Sequence, residues 1–585
     1  MPPIRPTRRW IAGLLALLPF LLLGANCLFF RTLAFDDAWI TFRYARNLTA
    51  GRGLVFNPSD AAPSEGFTSI FHVLACALGM RAGIHPLVFT RLVNFLLLCG
   101  LPFLALKALR RNWPNAAWLS LIPLAFFLSA NFTAWQASTG METIFFVCGA
   151  FLLALLAADL ALRPSLARGA LLGLAGCGLL IVRPEGGLLF AVHLALLAVS
   201  AQLPGFRRRL QLAAVAGGSF ALCLGAFIGW KWFALGHLLP NSYYVKTRGG
   251  VFGLPPQAWP GLSHVVQYFT DLDQGMPQAV LILLVLLLLR PTAARSRAAA
   301  TLLAHNLVPV AALLAYYLRI IHESCMFRLE FTAMLPLLFS ASVLLAAPEG
   351  LRPSWGSLNQ PALRAFVALV AGFALLAAHP WNLRHLPGLL GQKGPLPNDT
   401  IQVQLGEDLK RTGLGDSLVM LTGAVGIVPF LSDITTVDWV GLTDNFFSGR
   451  TPESPAALQQ YYRSRHPDVI CAKWAPAAAS RKEDDPAFQG MLRGLRGKYP
   501  EGLMVRLYQS EAFLEFVHGV MTDLAASYEI VAVYGDGPYV IYVRKDSNNK
   551  GVVRRAFEAS PYVLRGIDPA NYVSMKARAG EMDPY

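Results

Sequence analysis

Two adjacent carboxylates, Asp36 and Asp37, directly follow the first long apolar run of a 585-residue chain. They open the segment Phe35-Asp36-Asp37-Ala38-Trp39-Ile40-Thr41-Phe42-Arg43-Tyr44-Ala45-Arg46-Asn47-Leu48. Two readings are open. The pair caps a helix starting near Ala38, or it is a general base or cation-binding pair. Neighbouring carboxylates in a partly apolar cleft repel, which raises one pKa or recruits a divalent cation. Other reactive groups recur further on: Glu65 before an apolar helix, Glu142 in Gly140-Met141-Glu142-Thr143, and Arg183-Pro184-Glu185-Gly186 between two short apolar runs. Pro240-Asn241-Ser242-Tyr243-Tyr244-Val245-Lys246 adds a cation and two phenols, and His322-Glu323-Ser324-Cys325-Met326-Phe327-Arg328 adds an imidazole and a guanidinium. Each has a plain structural account: helix capping for Glu65 and Glu142, a mutual ion pair for Arg183 and Glu185 with a site wall as the alternative, and interfacial anchoring for the tyrosines and lysine. Taken together they suit one substrate. Arg and Lys grip a phosphate, aromatic rings stack on sugar faces, and a carboxylate deprotonates an acceptor hydroxyl. A lipid-phosphate sugar meets all three, its tail lying between helices.

The elements that must position these groups are membrane helices. The chain is 55% hydrophobic and only 15% charged, too little charge for a soluble protein of this length. Its net charge of +15 does not indicate nucleic acid, because many basic residues sit in short clusters between apolar runs, where topology explains them. Apolar runs near 10–30, 88–109, 115–131, 143–162, 169–182, 186–203, 211–235, 278–290, 299–320, 331–347 and 362–379 predict about eleven transmembrane helices. Ser69 to Met80 reads as a re-entrant or interfacial helix. Arg5/Arg8/Arg9, Lys107/Arg110/Arg111, Arg163/Arg168, Arg207/Arg208/Arg209, Arg290/Arg295/Arg297 and Arg352/Arg364 fall on one side, and the acidic loops on the other. The positive-inside rule then puts the N-terminus in the cytoplasm and the acidic loops outside. Residues 1–379 form the bundle, with a first outer loop at 31–87. Residues 380–585 are more polar and read as an extracytoplasmic α/β domain, with strands at Ser417 to Met420 and Asp468 to Ala472 and a hairpin of Tyr528 to Tyr534 with Tyr539 to Arg544. The eight cysteines form no CxxC pair and no metal-type spacing.

The chain resembles the GT-C superfamily of polyprenyl-phosphate-dependent membrane glycosyltransferases, and within it the mycobacterial terminal β-arabinofuranosyltransferase and pilin arabinosyltransferases. The likeness is carried by the segment from Asp36 to Leu48, by Gly51-Arg52-Gly53-Leu54-Val55-Phe56-Asn57-Pro58 and by Glu65-Gly66-Phe67-Thr68-Ser69. It extends to Thr139-Gly140-Met141-Glu142-Thr143, Arg183-Pro184-Glu185-Gly186, Leu239 to Lys246, Gly423 to Pro429 and Val437 to Asp444. The resemblance implies a helical polytopic bundle whose first outer loop carries the catalytic carboxylate, Asp36 or Asp37. It implies a sugar, arabinofuranose or a related pentose, taken from a polyprenyl phosphate at the outer face of a bacterial inner membrane and passed to an envelope glycan, lipid or pilin. By charge and placement Lys246, Arg328 and Arg43 are candidates for the donor phosphate. Glu65, Glu142, Arg183, Glu185, Asn241, Tyr243, Tyr244 and His322 are candidates for the rest of the substrate. Two departures stand out: Trp39 where the family has Tyr, and His322-Glu323-Ser324-Cys325 where it has a Gly-Gly-Asp-like turn. The rival reading is a transporter or flippase of a lipid-linked saccharide, which calls for repeats or mid-membrane charges. A third is a structural subunit that binds a wall polymer.

Overall fold

The computed structural model describes residues 6–32, 35–200, 202–203, 205–248, 262–270, 275–289, 296–320, 328, 330–347, 397–449, 454–472, 511–534, 539–561 and 563. The N-terminal two-thirds is helical: α1 Pro6–Phe29, α2 Asp36–Thr49, α3 Ile70–Arg81, α4 Pro86–Asn112, α5 Ile122–Ser129, α6 Asn131–Ser138, α7 Thr143–Leu162, α8 Leu166–Val182, α9 Glu185–Val199, α10 Phe206–Leu235, α11 Asn241–Arg248, α12 Leu262–Thr270, α13 Met276–Leu289, α14 Arg297–Ile320 and α15 Met334–Ala346. Among the described residues four helices are long and apolar enough to cross a membrane: α4, α7, α10 and Arg297–Leu318 of α14. A fifth crossing forms if the chain from Trp118 to Ser138, bent by 55° between α5 and α6, counts as one. The expected spans at 169–182, 186–203, 278–290 and 331–347 fall on helices of 10–17 residues, that at 10–30 falls on α1, and the run at 362–379 lies outside the described residues. The segment at Ser69 to Met80 is helical as expected, and its 12 residues are too few to span.

Small residues let α8 and α10 pack closely. A side chain at Gly173 of α8 would meet the main-chain nitrogen of Phe220 in α10 at 2.9 Å, so glycine lets the two backbones approach, as in lipid-embedded helix pairs. The other face of α10 is open, with Leu222 79% and Phe233 90% exposed, as a lipid-facing surface is.

Charge sorts to the two ends of the bundle. At one end Asp159 receives Arg163 at 2.8 Å, Arg168 at 3.2 Å and Arg111 at 3.4 Å. At the other, Asp37, Glu65, Glu142 and Glu185 meet Arg328, Lys231 and Arg183. Up-and-down helices linked by short loops produce this sorting, and it matches the alternation of basic and acidic loops in the sequence.

The C-terminal part carries a five-stranded sheet, ordered β2-β1-β3-β5-β4: β1 Val419–Thr422, β2 Thr435–Asp438, β3 Val469–Ala472, β4 Tyr528–Tyr534 and β5 Tyr539–Arg544. The β1 strand pairs parallel with β2 and β3, and β5 pairs antiparallel with β3 and β4. The expected hairpin forms at the expected residues. The β2 strand was not legible, because its four residues, Thr-Thr-Val-Asp, hold one aliphatic side chain.

Helix α2 lies between the bundle and this sheet-bearing part. Every residue from Ala38 to Ala45 is buried, although the sequence reads as amphipathic. Its polar face is covered rather than solvated. Ala38, Trp39, Ile40, Phe42, Tyr44 and Ala45 share one apolar cluster with Val73 and Cys76 of α3 and with Ile427 and Phe430 of the C-terminal part.

Candidate functional site

The two adjacent aspartates part company in the structure. Asp36 accepts main-chain N–H bonds from Gly426 (3.2 Å) and Ile427 (2.7 Å), the start of the helix Ile427–Ser432. Asp37, one residue on, turns another way. Its side chain is 35% exposed and faces the Arg328 guanidinium, with Nη2 3.8 Å from Oδ2. Arg328 is itself buried, and its Nε and Nη1 have no hydrogen-bond partner among the described residues. A buried donor without a partner costs about 1–3 kcal/mol, and more on a charged group.

Arg43 is committed elsewhere. It was a candidate for the donor phosphate, but it donates to the carbonyls of Phe56 (2.9 Å), Pro429 (2.5 Å) and Ile434 (2.6 Å) and to Asn57 Oδ1 (3.3 Å). It lies over the Phe56 ring at 4.6 Å. With Nε, Nη1 and Nη2 all engaged inside the protein, it ties the first loop to the C-terminal part. Arg43→Met is expected to lower the melting temperature by several degrees in a thermal-shift measurement, since it removes four buried hydrogen bonds.

Behind Arg328 lies a buried ion cluster. Arg183 Nη1 is 2.5 Å from Glu142, and its Nη2 and Nε reach the two oxygens of Glu185 at 3.0 and 3.3 Å. The Arg183–Glu185 contact expected from the sequence is present, and Glu142 joins it. Despite burial, the Arg183 and Arg328 charges hold the Glu142 carboxyl down at about 2. Glu65 has its own buried partners, Lys231 Nζ at 2.9 Å and His237 Nε2 at 3.2 Å. Neither partner stood out in the sequence, although a lone lysine at the end of an apolar run is a usable signal.

Asn241 is fully buried. It donates its main-chain N–H to the Glu65 carbonyl (2.9 Å) and its amide to Asn445 (3.3 Å). The Tyr243 and Tyr244 rings meet edge-on at 5.5 Å. Lys246 falls within α11, but its side chain lies outside the described set, as does His322. The residues brought together are therefore Asp37, Arg328 and Glu142, with Arg183 and Glu185 behind. Each Asp36 oxygen accepts one main-chain N–H group. Among the described residues no three His, Cys, Asp or Glu side chains group as metal ligands.

Three carboxyls in and beside the C-terminal part are pushed up by desolvation: half-buried Asp36 to about 7, and buried Asp438 and Asp444 to about 6 and about 7. The folded state thus keeps protons that the unfolded chain releases near pH 3.8. Their stabilising contribution is complete below that pH and is lost as pH rises through about 6–7. Glu142 acts oppositely: its contribution is present above 4.5 and lost as pH falls toward about 2. Melting temperature in detergent is expected to fall as pH rises from about 4 to 7, because three raised carboxyls outweigh one lowered one. A flat or rising profile over that interval would count against the burial of these carboxyls.

The helical bundle, with its membrane-capable helices, and the sheet-bearing C-terminal part share their fold with a solved membrane-lipid-binding structure. Among solved structures, ArnT from Cupriavidus metallidurans bound to undecaprenyl phosphate is similar, with a TM-score of 0.54 at 14% identity over 92% of this chain and 98% of that one. At that identity the likeness is one of fold. No family model matches the chain, and no curated protein does.

Proposed function

We propose that this protein is a membrane glycosyltransferase that takes a sugar, arabinofuranose or a related pentose, from a polyprenyl-phosphate donor. The acceptor is a cell-envelope glycan, lipid or surface protein at the outer face of the inner membrane. The N-terminus is cytoplasmic, and residues 380–585 form an extracytoplasmic domain that helps select the acceptor. The observation that carries the reading is the pairing of an accessible carboxylate, Asp37, with a buried Arg328 whose Nε and Nη1 have no partner among the described residues. It lies at the carboxylate-rich end of a bundle whose fold is shared with a structure bound to undecaprenyl phosphate.

In this reading Arg328, with Lys246, holds the donor phosphate. The acceptor hydroxyl oxygen attacks the anomeric carbon and its proton passes to Asp37. The bond between the anomeric carbon and the phosphate oxygen breaks, and its electron pair leaves with the polyprenyl phosphate. The growing negative charge on the phosphate is met by the Arg328 donors, so that they act most strongly as the bond breaks. Glu142 and Asp37 flank Arg328 with negative charge, which orients the guanidinium without filling Nε and Nη1.

The test is purified protein in membranes with polyprenyl-phospho-arabinose, scoring sugar transfer by mass spectrometry. Turnover supports the enzyme, retention without turnover supports a binder, and movement of intact donor across the bilayer supports a flippase. Arg328→Gln is expected to raise the donor KM and lower kcat, cutting kcat/KM roughly 10- to 100-fold, the worth of a charged hydrogen bond. An unchanged kcat/KM would remove Arg328 from the donor site.

A further inference from the structure

The side chains at positions 36, 39, 43 and 46 lie on one face of α2, and all four contact the six-residue helix Ile427–Ser432 or the residues beside it. Asp36 takes the N–H groups at its start. Trp39 packs on Phe430, ring centres 4.9 Å apart. Arg43 donates to the carbonyls of Pro429 and Ile434, and Arg46 to the carbonyl of Phe430 and to the Asp433 carboxylate. A helix this short leaves most of its end groups without partners of its own. Here α2 supplies them, accepting carboxyl oxygens at the N-terminal end and donating cations at the C-terminal end, matching the sign of the helix dipole. The fit is close. A side chain on Gly426 would collide with the main-chain oxygen of Asp36 and stand 2.5 Å from its Oδ1.

Resting on the glycosyltransferase reading above, we infer that Asp36 is a positioning residue. It locks the C-terminal part onto α2 and thereby fixes the neighbouring Asp37 opposite Arg328, so that the site is assembled only when the C-terminal part is docked. The carboxylate pair thus divides its labour: Asp37 faces the substrate, Asp36 holds the frame. A shift of about 1 Å at a reacting group costs on the order of 100-fold in rate.

Four variants test this in the full-length protein. Asp36→Asn keeps one acceptor oxygen and is expected to retain transfer within about 10-fold, while Asp36→Ala loses about 100-fold in kcat with the donor KM little changed. Gly426→Ala pushes from the other side, against the main chain and carboxyl of Asp36, leaves both aspartates in the sequence, and is expected to match Asp36→Ala. Arg46→Gln weakens the far end of the clamp and is expected to give an intermediate fall. Hydrogen exchange over residues 426–434 needs no activity. It should rise in Asp36→Ala and Gly426→Ala and stay near wild type in Asp36→Asn. Two results would overturn the inference. One is Asp36→Asn as inactive as Asp37→Asn with 426–434 still protected, which makes Asp36 chemical. The other is Asp36→Ala with wild-type exchange. If wild-type protein transfers no sugar, the glycosyltransferase reading fails, while the exchange experiment still decides whether the clamp exists.

Discussion

Asp37→Asn is expected to lower kcat by about 10²- to 10⁴-fold, the contribution of a positioned general base, while the variant inserts and melts as the wild type does. The two halves of that expectation rest on different observations. Loss of activity follows from placement: Asp37 is the member of the pair that opens to the site, and it faces the arginine assigned to the donor phosphate. Retained stability follows from exposure. A carboxylate 35% exposed, with its partner at 3.8 Å, contributes about 0–1 kcal/mol, and Asn has nearly the same shape. Michaelis kinetics on membranes, beside a thermal-shift curve, separate the two. The donor KM should change little, because an Asn at 37 still lets Arg328 reach the phosphate. Full turnover by this variant would remove Asp37 as the base, and full turnover by the Asp36/Asp37 double variant would remove the first outer loop from the chemistry altogether.

The sequence was informative wherever the determining contacts are local. The start of α2, the helix at 70–81, the β4–β5 hairpin and the Arg183–Glu185 pair all depend on residues close together in the chain. The sidedness of the charges was legible too, because short loops between apolar runs leave two ends to choose from. What could not be read is what the C-terminal part does to α2. The partners of Asp36 are 390 and 391 residues away, and Arg43 meets Pro429 across 386. Without them an Arg-bearing helix after an outer carboxylate pair looks like a solvated amphipathic segment, and Arg43 looks like a phosphate ligand. Adjacent identical residues give no hint of which faces the site, since neighbours on a helix point about 100° apart whatever they contact. The count of spans was less certain for a related reason. Runs of 10–17 apolar residues are legible as buried helices, but bends such as the one between α5 and α6 are set by packing.

Arg183→Ala is expected to destabilise the protein by roughly 3–5 kcal/mol, the cost of removing one partner from a buried ion pair. It should appear as loss of folded protein from the membrane fraction and a lower melting temperature. Arg183 is 6% exposed, and its two carboxylate partners, Glu142 and Glu185, are 4% and 7% exposed. Together they hold one positive and two negative charges, with the Arg328 charge also acting on Glu142. Burial alone would neutralise these groups. The three close contacts prevent it, holding Arg183 charged far above physiological pH and Glu142 ionised down to about 2. Without the guanidinium two carboxylates face each other in an apolar setting. One must take up a proton or draw in water, and Arg328 becomes the cation nearest Glu142. Activity is therefore expected to fall more than stability alone explains, because an Arg328 drawn toward Glu142 no longer presents Nε and Nη1 to the donor phosphate. Arg183→Lys separates the effects. It keeps the charge but cannot fork to both carboxylates, so stability should recover in part while the donor KM stays raised. Arg183→Met combined with Glu142→Gln and Glu185→Gln should recover stability further than Arg183→Ala does, because the guanidinium and both carboxylates of the cluster are removed together. If that triple variant also transferred sugar at the wild-type rate, the cluster would serve the fold alone and have no part in aiming Arg328.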